Sequence, residues 1–125
     1  MNILLDTHVL IWALENNPTL SEEAKKAIIT PCNIVFVSSV SIWEISIKKH
    51  MGKLETPDNL QEEIRLHRFT FLNIDYDHAE LAGKLPEIHK DPFDRMLIAQ
   101  AILEKLKLVT RDECIARYDV DLIQA

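Results

Sequence analysis

Four acidic residues stand beside apolar runs instead of on solvated faces: Asp6 in ILLDTH, Glu44 in SIWEI, Asp94 in DPFDRMLIAQA and Asp112 in LVTRD. Taking a charge out of water costs several kcal/mol per ion unless a partner compensates. Four carboxylates so placed point to a shared divalent cation. The chemistry such a site can do is narrow. Hydrolysis of a phosphodiester requires a nucleophilic hydroxide at neutral pH and neutralisation of charge on the phosphoryl and leaving oxygens, and carboxylate-held metals supply both. Mg²⁺ and Mn²⁺ prefer such oxygen ligands. On this chemistry Asp6 is the central or bridging ligand, Asp94 and Asp112 are its partners across a crevice, and Glu44 is a ligand or a base that positions the attacking water.

The elements that must position these acids follow from periodicity. Short apolar runs alternate with longer segments of helical period, the βαβ pattern of a mostly parallel sheet covered by helices on both faces. Strands are expected at Asn2 to Leu5, Ile34 to Val37, Phe71 to Ile74 and Lys107 to Thr110, with a short edge at Asp121 to Ile123. Helices fill the intervals: His8 to Glu15, Ser21 to Thr30 after a Thr19-x-x-Glu22 capping pattern, Val40 to His50, Asn59 to Arg68, Asp77 to Leu85, and Pro92 to Leu106 with its proline in the first turn.

Asp6 and Asp112 then follow directly after the first and fourth strands. Ligands of open parallel sheets sit outside the carboxyl ends of the strands, where the strand order reverses. Glu44 falls between Val40, Ile47 and Met51 on its helix, inside the apolar sector, and Asp94 shares a stripe with Ile98 and Ala101. Asp91 lies on roughly the same side as Asp94, so the pair repels itself unless a cation intervenes. Each acid also has a plainer reading. Asp6 or Asp112 can be a helix N-cap; Glu44 can close a capping box with Ser41; Asp94 can serve the helix dipole or pair with Arg95 or Lys90. None of these explains why two acids end strands while two others lie in apolar helical stripes.

Composition narrows the class. At 125 residues the chain suits one compact domain, residues 1–125. Its 14 Lys and Arg against 20 Asp and Glu, net charge −6, argue against a general phosphate-coating nucleic-acid binder while leaving a metal-dependent nuclease open. The basic runs at Lys48, Lys49, Lys53 and at Arg65, His67, Arg68 read as solvated faces. Cys32 and Cys114 form no CxxC pair and are too few for a zinc framework. MNILLDTH reaches a charge after three apolar residues, and no stretch approaches bilayer-spanning length, so a cytoplasmic protein with no membrane partner is expected.

LLDTHVLIWAL, SVSIWEI, HKDPFDRMLIAQA and LVTRD, in this order and over this length, resemble the PIN-domain family, and more narrowly the VapC-like toxin ribonucleases of bacterial toxin–antitoxin pairs. The resemblance covers essentially the whole chain. It implies a Rossmann-like three-layer α/β/α sandwich and a Mg²⁺- or Mn²⁺-dependent ribonuclease acting on RNA, with metal ligands at Asp6, Glu44, Asp94 and Asp112 and Asp91 as an accessory acid. It further implies a cognate antitoxin that covers the acidic crevice, and a symmetric homodimer is expected as the commonest oligomer. Thr110 matches the hydroxyl residue two positions before the last acid and either orients Asp112 or a water, or simply ends its strand.

Other residues near the acids have two readings each. His8 and His89 contact substrate phosphate or make helix-surface hydrogen bonds; no His or Cys spacing supports soft-metal ligation. Arg95 and Arg111 clamp RNA phosphates or balance local charge. Trp12 and Trp43 lie on apolar helix faces and read as core before base-stacking platforms. Two rival classes remain: another phosphate-processing α/β enzyme or switch, and a non-catalytic module that keeps the fold and uses the acids structurally. A receiver-type reading lacks its late lysine in LKLVTRD, and a haloacid-dehalogenase-like phosphatase wants an Asp where His8 stands.

Overall fold

The structure, a computed structural model, describes residues 1–125. Its elements in chain order are β1 (Asn2–Leu5), α1 (Thr7–Glu15), α2 (Glu22–Ile29), β2 (Ile34–Ser38), α3 (Ser39–His50), α4 (Leu60–Leu66), β3 (Thr70–Leu72), α5 (Tyr76–Lys84), α6 (Pro92–Glu104), β4 (Lys107–Thr110) and β5 (Leu122–Gln124), with a 3-10 turn at Ile115–Arg117 before the last strand. All five strands are parallel, in the order β3-β2-β1-β4-β5. The chain builds outward from β1 to β3 on one side and then crosses back to lay β4 and β5 on the other. The order therefore reverses between β1 and β4, where Ile3 pairs with Lys107 and Leu5 with Val109.

Alternation along the buried strands fixes the two outer layers. Ile3 and Leu5 pack with Val9 and Leu10 of α1, Ala24 of α2 and Ile64 of α4. Leu4 and Leu108 pack on the opposite face with Ala82 of α5, Leu97, Ile98 and Ala101 of α6, and Ile115 and Tyr118. Because both faces are covered, β1 and β4 read in the sequence as nearly continuous apolar runs. Helix α3 joins the layers: Ile45 belongs to the first cluster and Val40 to the second. Each fully buried leucine or isoleucine of this kind stabilises the fold by roughly 1.5–3 kcal/mol. The expected α/β/α sandwich with a parallel sheet is what forms, and no helix is long and apolar enough to cross a membrane.

Local departures from expectation have local causes. Strand β3 is Thr70–Leu72 instead of Phe71 to Ile74, because its partner β2 ends at Ser38, which pairs with Leu72, and nothing remains for later residues to bond. Helix α2 is capped by Ser21, not by the Thr19 pattern. The Ser21 side chain accepts from Ala24 N–H at 3.0 Å while its hydroxyl donates to the Gln124 carbonyl at 2.7 Å, a tie to β5 that only the fold supplies. The two cysteines are free, Cys32 exposed and Cys114 half-buried.

Candidate metal centre at the switch point of the sheet

Asp6 leaves β1 and becomes the N-cap of α1, so its cap reading and its site reading hold together. Its Oδ1 accepts from Val9 N–H at 2.9 Å and its Oδ2 from the Thr110 hydroxyl at 2.5 Å. That hydroxyl also accepts from Asp112 N–H at 3.1 Å, so Thr110 ties together the acids that follow β1 and β4. Glu44 is not part of a capping box. The N-cap of α3 is Ser38, one turn before Ser41, and Glu44 lies inside the second turn, only 3% exposed. Its Oε1 accepts from the Thr7 hydroxyl at 2.6 Å and its Oε2 pairs with Lys48 Nζ at 2.5 Å, one turn on. A threonine has one hydroxyl proton; with that proton on Glu44, the 3.0 Å contact between Thr7 and Ser41 is a donation from Ser41.

Asp91 is the N-cap of α6, accepting from Phe93 N–H at 2.8 Å and Asp94 N–H at 3.4 Å. Asp94, in the first turn, pairs with neither Arg95 nor Lys90. Its partner is His89, whose Nε2 lies 3.0 Å from Asp94 Oδ2 and equally 3.0 Å from Asp112 Oδ2. Asp112 is also held by Cys114 N–H at 2.7 Å and Ile115 N–H at 3.3 Å on its other oxygen. Asp6, Glu44, Asp91, Asp94 and Asp112 together line a cleft of ≈ 440 Å³ with Thr7, His8, Trp12, Lys48, His89 and Arg111.

The electrostatics record the crowding. Burial pushes the Asp94 carboxyl up to about 7, with Asp91, Asp6 and Glu44 adding to the rise and His89 opposing it. Burial also raises Asp6, against the hydrogen bonds from Thr110 and Val9. Asp112 goes the other way: burial raises it, but the hydrogen bonds from His89, Cys114 and Ile115 outweigh burial and hold it below the ordinary range. Lys48 is raised by its hydrogen bond to Glu44 and by the charges of Asp91 and Asp94. Five carboxylates around one cleft, with Lys48 and Arg111 beside them, leave negative charge that a bound cation would balance. Their oxygens are the donor type that Mg²⁺ and Mn²⁺ prefer, so the residues present fit such an ion.

A family model for the PIN domain matches residues 3–121. The chain belongs to the PIN-domain family. Solved structures of the same fold include a chain of VapBC2 from Rickettsia felis bound to a DNA fragment from their promoter, with a TM-score of 0.72 at 17% identity over 98% of each chain. DNA-bound VapBC from Salmonella typhimurium gives 0.70 at 19% identity, over 98% of this chain and 97% of that one. A toxin–antitoxin complex from Klebsiella pneumoniae gives 0.66 at 25% identity, over 98% and 96%. Comparison with curated protein sequences returned no match.

In this PIN domain the four sequence-predicted acids converge from four separate elements, and Asp91 joins them. Several neighbours depart from expectation. His89 precedes α6 and hydrogen-bonds Asp112 with Asp94 equally near its Nε2, where surface hydrogen bonding on a helix was expected. Arg95 is turned away from the cleft lining: its guanidinium donates to the carbonyls of Ala82, Leu85, Pro86 and His89 and approaches the Tyr118 hydroxyl, so it neither balances the acids nor faces a phosphate. Arg111 stacks over Trp12 at 4.5 Å and donates to the carbonyls of Thr19 and Ala125. Trp12 is half-buried at the cleft, and Trp43, expected in the core, is 59% exposed, edge-on to Phe93 at 5.3 Å. Lys48 breaks from its solvated run to face Glu44. Thr7 and Ser41 carried no sequence signal beyond proximity to Asp6 and Glu44.

Proposed function

We propose that this chain is a Mg²⁺- or Mn²⁺-dependent ribonuclease that hydrolyses RNA phosphodiester bonds, and that it is the toxin of a toxin–antitoxin pair. The observation that carries the reading is the meeting of Asp6, Glu44, Asp94 and Asp112 at the carboxyl ends of β1 and β4, under-balanced by the cations around them. These four are the proposed ligands, with Asp91 accessory. A bound divalent cation would supply Lewis acidity toward the phosphodiester and a more acidic water for the attack. The chain's own groups set the geometry. Val9 N–H and the Thr110 hydroxyl fix both oxygens of Asp6, and Thr7 aims Glu44 across the cleft. Lys48 and Arg111, lining the same cleft, present positive charge to a phosphate backbone. Nothing in the lining is arranged to read a base edge, so target choice rests on RNA shape and single-stranded context.

The toxin role draws on the fold's likeness to the VapBC and toxin–antitoxin complexes above. An antitoxin segment laid over the crevice would bring an Arg or Lys into the carboxylates, and a homodimer is part of the same reading. The test is cleavage of single-stranded RNA in Mn²⁺ or Mg²⁺ by wild type, Asp6→Asn and Asp94→Asn. The ligands act as a unit, so each variant should lose orders of magnitude in rate while remaining folded. Cleavage that persists in excess chelator contradicts the nuclease reading. Normal bacterial growth during high expression of cleavage-competent protein contradicts the toxin role alone.

A further inference from the structure

His89 belongs to no helix, yet it is among the most firmly placed residues of the cleft. Its N–H donates to the Tyr118 hydroxyl at 2.8 Å and its carbonyl accepts from Arg95 at 3.3 Å. The ring then sits between Asp94 and Asp112, Nε2 at 3.0 Å from a carboxylate oxygen of each. By distance alone the three side chains form a ligand set, since their donor atoms lie within 4.8 Å of one another.

The second ring nitrogen argues against that set. Asp91 N–H donates to His89 Nδ1 at 3.2 Å, so Nδ1 presents a lone pair. A neutral imidazole that accepts at Nδ1 carries its single proton on Nε2. Binding a cation through Nε2 would move that proton to Nδ1, where it would meet the Asp91 N–H, donor against donor. The ring in this setting donates its Nε2–H to Asp112, with Asp94 Oδ2 equally near the nitrogen, and has no lone pair to offer a metal.

We propose that His89 is a positioning residue whose Nε2–H holds Asp112 in place beside Asp94, while the Asp91 backbone N–H keeps the ring nitrogen from the cation. The consequence is a site of oxygen ligands only, suited to hard cations such as Mg²⁺ and Mn²⁺ and poorly suited to Zn²⁺, which favours imidazole nitrogen. This rests on the metal reading of the cleft. His89 differs from the four acids in that it acts on the cation only through them.

Two measurements on the full chain test it. The first follows the His89 ring nitrogens of wild type by ¹⁵N NMR, with and without Mg²⁺; the expected result is an Nε2–H tautomer in both. The second is calorimetric titration with Mg²⁺ and with Zn²⁺ of wild type, His89→Ala, His89→Gln and Asp94→Asn. The Gln amide nitrogen can stand near the place of Nε2 and keep an N–H donor there. Loss of an orienting partner typically costs 10–100-fold in metal affinity, so His89→Ala should weaken Mg²⁺ by about that factor and His89→Gln should recover most of it. A switch to the Nδ1–H tautomer on adding Mg²⁺ overturns the proposal, as does a His89→Gln variant no better than His89→Ala, or Zn²⁺ affinity that depends on the ring while Mg²⁺ affinity does not. Mg²⁺ affinity unchanged by Asp94→Asn overturns the metal reading beneath it, a separate outcome.

Discussion

Asp94 carries a proton up to about pH 7 in the metal-free cleft, against 3.8 for an ordinary aspartate. Between those values the folded chain binds a proton that the unfolded chain has lost. The stability tied to Asp94 is therefore whole below the window and is lost as pH rises through it. Asp6, also raised, acts in the same direction, whereas the lowered Asp112 changes only below the ordinary aspartate range, where stability falls as pH falls. In chelator at pH 8, where the crowded carboxyl is ionised, Asp94→Asn should melt higher than wild type by roughly 5–10 °C, the effect of about 2 kcal/mol in a domain of this size. At pH 5 the wild-type carboxyl is already neutral and the two melting curves should approach each other. A thermal scan at both pH values checks this; a variant that melts lower at pH 8 would make Asp94 a salt-bridge partner and no more. That the four acids meet in one cleft was legible in the sequence because Asp6 and Asp112 end apolar strand runs and Glu44 and Asp94 stand in apolar helical stripes, anomalies that a residue and its neighbours reveal. Thr7, Ser41 and the role of His89 were not, because a hydroxyl or an imidazole is ordinary in a loop or a first turn until the fold brings a carboxylate to it.

Arg95 shows how an element is held in place for the site without joining it. Its two guanidinium nitrogens take up the carbonyls at the end of α5 and in the Leu85 to His89 segment, which no helix or strand satisfies. Replacing it with methionine keeps much of the stem and takes the side-chain donor from the carbonyls of Ala82, Leu85 and His89, while that of Pro86 keeps the Tyr118 hydroxyl and Ile88 N–H, so Arg95→Met should cost about 2–4 kcal/mol in urea denaturation. Arg95→Lys should recover little, since a single ammonium cannot reproduce the planar fork. A cost below about 0.5 kcal/mol, the range of ordinary surface substitutions, would remove Arg95 from this role. Beside an acid in the sequence, this arginine reads as a phosphate clamp or a counter-charge; only the return of the α5 to α6 connection reveals its carbonyl targets. The elements themselves were legible, nearly to their ends, since alternation and helical period are local. The misplaced boundaries lie where a neighbour decides: β3 stops with β2, and the cap of α2 sits on Ser21 because β5 is there to receive its hydroxyl. Trp43 escaped the core because α3 is covered on two sides by the sandwich and presents its third face, carrying this residue, outward.

At the scale of the whole molecule, a five-stranded parallel sheet with its order reversing between β1 and β4 places the ends of those strands side by side, and α3 and α6 bring one more acid each to the same cleft. The pattern of strands and helices implied that crevice; the distances across it depended on helix packing and could not be read from spacing. Net charge −6 is partly a property of this cleft, whose lining sets five carboxylates against Lys48 and Arg111. The central claim, that these acids share a divalent metal, makes folding and metal binding one linked equilibrium. Its most direct measurement is the melting temperature of wild type and Asp94→Asn across a Mn²⁺ titration at pH 8. The account predicts that wild type rises with the logarithm of Mn²⁺ concentration, gaining about 2.7 kcal/mol at a hundred times the dissociation constant, while Asp94→Asn, higher at the outset, responds far less. Equal shifts in both proteins, or no shift in wild type, would contradict it.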